Sequence, residues 1–117
     1  MLVGAYRYPK AARIRRRREF LRLQRSGQRR HTAHLVLIRS SASLPLSRLG
    51  VTASKKIGNA VVRNRIKRMI REAFRHLQRD VQPPADLVVI AKPDARNLTY
   101  ALAAAELASL LRPRPGA

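Results

Sequence analysis

The stretch NAVVRNRIKRMIREAFRHLQR, residues 59–79, constrains the fold more than any other part of the chain. At about 100° per residue it places Val62, Ile66, Met69, Ile70, Ala73 and Leu77 on one stripe of a helix, with Phe74 and Val81 flanking it. The opposite side carries Asn64, Lys67, Arg68, Arg71, Arg75 and Arg79, and Arg63 and Arg65 stand on the two shoulders. Such a helix lays one face on a core and offers the other to something anionic. Lys67, Arg71, Arg75 and Arg79 follow one another at i,i+4 spacing, where each like-charge pair costs a few tenths of a kcal/mol. A solvated face normally mixes signs, and here Glu72 is the one acid within the stretch. A phosphate backbone would relieve the repulsion.

The rest of the chain repeats that demand. Its 117 residues hold 26 Lys and Arg against 6 Asp and Glu, a formal net charge of +20. Most of the cations are arginine, which suits bidentate phosphate recognition. Nucleic acid is therefore the expected partner, ahead of an acidic membrane surface. No apolar run reaches the roughly 20 residues of a spanning helix, and MLVGAYRYPK lacks the apolar core of a signal peptide. With no cysteine, a disulfide framework and a thiolate zinc site are excluded, and a cytoplasmic setting is expected.

The length suits one domain with one modest core. Residues 1–12 read as irregular, 13–111 as the domain, and 112–117 as a disordered tail. A first helix is predicted over about 16–25, stopped near Gly27. AHLVLIRS and SRLGVTAS are β-prone runs, expected to pair antiparallel. The long helix follows and ends before QPP, since proline cannot continue it. ADLVVIAK reads as a strand buried on both faces. Thr99 is a fair N-cap for a last helix whose Leu102, Leu107, Leu110 and Leu111 are expected to pack. The order α-β-β-α-β-α predicts an α/β fold, a small mixed sheet with helices packed on it.

Protein-borne catalysis finds little support. The carboxylates Glu19, Glu72, Asp80, Asp86, Asp94 and Glu106 form no close pair in the sequence. His31 and His34 could share one side of a turn, where a pair could cleave RNA by acid–base chemistry, but they read better as surface histidines. His76 sits near Glu72 on the helix surface. GNAVVRNR lacks the second glycine and the Lys-Ser/Thr of a P-loop, although a helix N-terminus still favours an anion near Gly58.

SKKIGNAVVRNRIKRMIREAF resembles the signature of the bacterial ribonuclease P protein subunit, in which an Arg-Asn-Arg core is followed by Lys-Arg on one helix. REFLRLQRSG, RLGVTASKK and DLVVIAK are similar to its flanking elements, so the resemblance spans about residues 13–111. It implies an α/β sandwich (a two-layer α+β arrangement) with a left-handed βαβ crossover. It also implies a subunit that assists a catalytic RNA, with Mg²⁺ in the RNA's active site, in removing the 5′ leader of precursor tRNA. The partners would be the ribonuclease P RNA and the leader, with neither DNA nor membrane expected. Lys55, Lys56, Arg63, Asn64, Arg65, Lys67 and Arg68 would contact the catalytic RNA, extended by Arg71 and Arg75. Phe20 would line a leader cleft with Arg16, Arg17, Gln24 and Ile38. Gln24 and Ile38 stand where the family often has aromatics, so stacking should count for less here.

A ribosomal or other structural RNA-binding protein would share the charge and size, but would have no reason to carry Arg-Asn-Arg directly after a strand ending in SKK. From the charge alone, the chain should be partly unfolded without anions. Circular dichroism should show structure gained on adding sulfate, and an unchanged spectrum would refute this.

Overall fold

The computed structural model describes residues 13, 14, 17–42 and 44–112. Arg16, the expected irregular segment 1–12 and all of the expected tail except Arg112 lie outside them. The order is α1 (Arg17–Ser26), β1 (Gln28–His31), β2 (Leu35–Ser41), β3 (Arg48–Ala53), α2 (Ala60–Leu77), β4 (Ala85–Ala91) and α3 (Tyr100–Leu111). Short 3₁₀ turns at Lys55–Ile57, Gln78–Asp80 and Pro93–Asn97 adjoin the last two helices.

β4 organises the sheet. Ala85, Leu87, Val89 and Ala91 point to one face, Asp86, Val88 and Ile90 to the other, and all but Ile90 are buried. A strand so apolar needs neighbours on both edges and cover on both faces. The sheet order is accordingly β1-β2-β4-β3, with β2 antiparallel and β3 parallel to β4. This corrects the expected antiparallel pair: AHLVLIRS and SRLGVTAS flank β4 instead of pairing with each other. β1, a strand missed in the sequence, pairs with β2 through Arg29↔Ile38 and Arg30↔Leu37. QRRH has no apolar alternation, so backbone pairing alone makes it a strand.

On one face α2 and α3 pack together over Leu35, Leu37, Leu49, Leu87 and Val89. α2 contributes Ile66, Ile70, Ala73 and Phe74, all buried, while Val62, Met69 and Leu77 are partly so. Each fully buried Ile or Phe is worth about 1.5–3 kcal/mol, several times a surface like-charge pair, so burial decides how the helix sits. α3 packs through Ala103, Leu107, Leu110 and Leu111. Leu102, expected in that set, is 46% exposed, because the contact stripe passes through Ala103. The Thr99 hydroxyl caps α3, accepting from the Leu102 amide at 3.2 Å. Arg112 is held too: its carbonyl and that of Leu110 accept from Arg30 at 2.6 Å.

α1 lies across the other face, over a smaller cluster of Ile14, Leu23, Val36, Ile38 and Val88. Gly27 makes this possible, since a Cβ there would stand 2.3 Å from Ile38 Cγ2. An ion triad fixes the helix. Arg48 on β3 donates to both oxygens of Asp86 on β4, at 3.1 and 2.9 Å, and to Glu19 on α1 at 2.6 Å. Hydrogen bonding to Asp86 outweighs the burial of Arg48, so its proton is held more tightly than in water. Asp86 is 1% exposed, so losing its partner would strand a buried charge.

Arg48→Met should therefore cost about 3–5 kcal/mol in denaturant unfolding, and adding Asp86→Leu should recover most of it. A single-variant loss below about 1 kcal/mol, the range of exposed pairs, would mean that the triad does not hold α1 in place.

Candidate nucleic-acid interface

The cationic surface begins where β3 leaves the sheet. Ser54 caps the 3₁₀ turn, its hydroxyl accepting from the Lys56 amide at 3.2 Å. Ile57 is wholly buried and anchors the turn, which leaves Lys55 and Lys56 exposed. Gly58 follows at φ 159°, where an added Cβ would lie 3.3 Å from Val62. Asn59 then caps α2, its Oδ1 accepting from the Val62 amide at 3.0 Å. No acid occupies the first turn, so the positive end of the helix adds to the two lysines.

Along α2 the burial pattern divides the cations. Arg65 and Arg68 are exposed, with the neutral Asn64 beside them, whereas Arg63, Lys67, Arg71 and Arg75 are half-buried on its shoulders. The outermost line thus runs through Asn64, Arg65 and Arg68 rather than through the Lys67–Arg71–Arg75 ladder. Arg65 donates to the Arg96 carbonyl at 3.0 Å, which ties the helix to the Pro93–Asn97 turn. Arg75 bonds to Glu72, and His76 Nε2 lies 3.4 Å from the same carboxylate. The Nε atoms of Arg63 and Arg75 are buried without a hydrogen-bond partner. All nine residues expected to contact RNA are thus brought to one turn and one helix.

The opposite face of the sheet holds a groove of about 410 Å³, between α1 residues Arg17, Phe20, Leu21 and Gln24 and β3 residues Val51 and Thr52. Phe20 owes its position to Gly50: a Cβ at that site would meet the ring 2.6 Å away. Three of the five expected cleft residues, Arg17, Phe20 and Gln24, share this groove. Ile38 does not, being fully buried beneath Gly27, and Arg16 lies outside the described residues. Leu21, Val51 and Thr52 were missed; Leu21 is signalled only by its place next to Phe20. A larger hollow of about 670 Å³ lies by Ser26, Gln28 and Pro83–Pro84, but Arg39 is the single charged residue lining it. It offers a polyanion little.

The histidines part company. His31 is exposed on β1. His34 Nδ1 lies 2.5 Å from Glu106 Oε2, and Oε1 accepts from the His34 amide at 2.9 Å and from Thr32 Oγ1 at 2.6 Å. Burial opposes ionisation of Glu106, but the hydrogen bonds from Thr32 and His34 prevail and hold its carboxyl below the usual range. This network, missed in the sequence, pins the β1–β2 turn to α3. Among the described residues no three His, Asp or Glu side chains gather into a metal-binding group, and no helix is long and apolar enough to cross a membrane.

The model of the Ribonuclease P family matches residues 8–113. This chain belongs to the ribonuclease P protein family. The ribonuclease P protein component of Syntrophus aciditrophicus (strain SB) is 44% identical over 106 residues, covering 91% of this chain and 89% of the relative. A mutant Staphylococcus aureus RNase P protein, described as defective in mRNA degradation, matches with a TM-score of 0.79 at 34% identity over 87% of this chain and 86% of that one. The RNase P protein of Thermotoga maritima matches at 0.77 and 29% identity, over 85% and 94%. The α+β fold is thus that of ribonuclease P proteins.

If the ribonuclease P signature helix contacts phosphates directly, Arg65→Ala or Arg68→Ala should each lower the log–log salt slope of RNA binding by about 0.7 to 0.9. Arg75→Ala should lower it less, because Glu72 already partly neutralises that cation. Slopes unchanged from wild type would place the contact elsewhere.

Proposed function

We propose that this chain is the protein subunit that assists a catalytic RNA in the Mg²⁺-dependent hydrolysis of the phosphodiester joining the 5′ leader to the mature part of precursor tRNA. One observation carries this reading: a single small fold presents the Arg63-Asn64-Arg65 helix on one side of the sheet and the Phe20 groove on the other. Lys55, Lys56, Arg63, Asn64, Arg65, Lys67, Arg68, Arg71 and Arg75 would lie on the catalytic RNA, where neutralised phosphates release counterions and favour binding. The groove would take the leader strand. There Phe20 can stack on a base, an interaction worth about 1–3 kcal/mol, while Arg17, Gln24 and Thr52 supply polar contacts.

On this reading Mg²⁺ serves the active site of the RNA, and the protein moves no proton of the reaction. His34 is instead held by Glu106, a partnership that fastens a turn. The subunit would work in the cytoplasm, on RNA and not on DNA.

The test is cleavage of a precursor tRNA by a bacterial ribonuclease P RNA at limiting Mg²⁺, with and without the protein. Restored cleavage at the mature 5′ end, with no cleavage by the protein alone, is the expected result. RNA binding without any effect on that reaction would make the chain a structural RNA-binding protein instead.

A further inference from the structure

A second cationic surface lies on the outer side of α1. At about 100° per residue Arg18, Arg22 and Arg25 fall within one narrow stripe, and all three are exposed. The acid of this helix, Glu19, is turned inward to Arg48 at 2.6 Å, and among the described residues no ion pair compensates the stripe. Beyond the helix end, Arg29 donates to the Gln24 carbonyl at 3.1 Å, which keeps a further cation beside it. On the helix, Arg18 and Arg25 are separated by a rise of about 10 Å. Like charge at i,i+4 here has the same cost as on α2, and the same relief in a phosphate backbone.

α1 and α2 cover opposite faces of the sheet, so their outer surfaces point away from each other and one RNA segment could not lie on both. The stripe is continuous with the groove. Leu21 lines the groove and, three residues after Arg18 and four before Arg25, borders the stripe on the same side of the helix. Leu21 is 41% exposed, an apolar rest for a base or ribose between the groove and the arginines. A strand leaving the groove over this lip would run onto Arg18, Arg22 and Arg25.

We propose that the outer face of α1 is a second leader-binding surface, which holds through its phosphates the part of the 5′ leader beyond the nucleotides in the groove. The inference rests on the ribonuclease P reading above and assigns these arginines to substrate, not to the catalytic RNA.

The test uses the holoenzyme reconstituted with a bacterial ribonuclease P RNA and a series of precursors whose leaders lengthen one nucleotide at a time. Wild type is compared with Arg18→Gln/Arg22→Gln/Arg25→Gln; glutamine is a good helix former, so α1 should persist. The two should bind short-leader precursors alike and diverge once the leader outgrows the groove. The difference in log–log salt slope should then reach about 2, from three single-strand contacts at about 0.7 each. A penalty that is the same at every leader length, a loss of affinity for the catalytic RNA alone, or no penalty at all would overturn the assignment. If wild type fails to promote cleavage of any precursor, the ribonuclease P reading itself falls, and this inference with it.

Discussion

A strand with almost no polar side must be covered twice, and the rest of this molecule is arranged around that need. β4 is buried on both faces, which draws β2 and β3 to its edges and helices to both sides of the sheet. Only then does α2, linking two parallel neighbours, come to rest with its basic side outward. Hydrophobic burial thus sets where the charge goes. The few tenths of a kcal/mol lost to each like-charge pair cannot compete with the burial of Ile66, Ile70 and Phe74.

Charge in turn is sorted by burial. Among the described residues the arginine that enters the interior, Arg48, is paired, between Asp86 and Glu19. Where arginine stays outside, as at Arg65 and Arg68, no carboxylate pairs with it among the described residues. Scarce acids go to structure. Glu19 and Asp86 hold α1 to the sheet, and Glu106 holds the β1–β2 turn. Spending so much of the negative charge on internal ties leaves the surface more cationic than the composition alone would make it.

The elements legible in the sequence were those marked by local physics. The apolar period of α2 and the QPP stop delimit it to within two residues, and Thr99 marks the start of α3. That the basic side of α2 turns outward was legible for the same reason, because the apolar stripe fixes which residues face the core. What failed depended on distant partners. β1 lacks any pattern of its own, and the position of β4 between β2 and β3 reflects packing on two faces. Ile38 looks like a cleft residue until Gly27 lets the end of α1 descend onto it. No spacing rule links Arg48 to Glu19 and Asp86, or His34 to Glu106.

β1 has one more consequence. It ends the sheet, and an end strand with open backbone groups is the usual place for two copies of a protein to join and begin an aggregate. Here that strand is Gln28, Arg29, Arg30 and His31, so a second copy arriving edge to edge would bring arginine against arginine. The strand that pattern reading overlooks therefore works as a gatekeeper. Its repulsion weakens as salt rises, so a basic protein of this kind should be hardest to aggregate in the dilute buffers where its own charge strains it most.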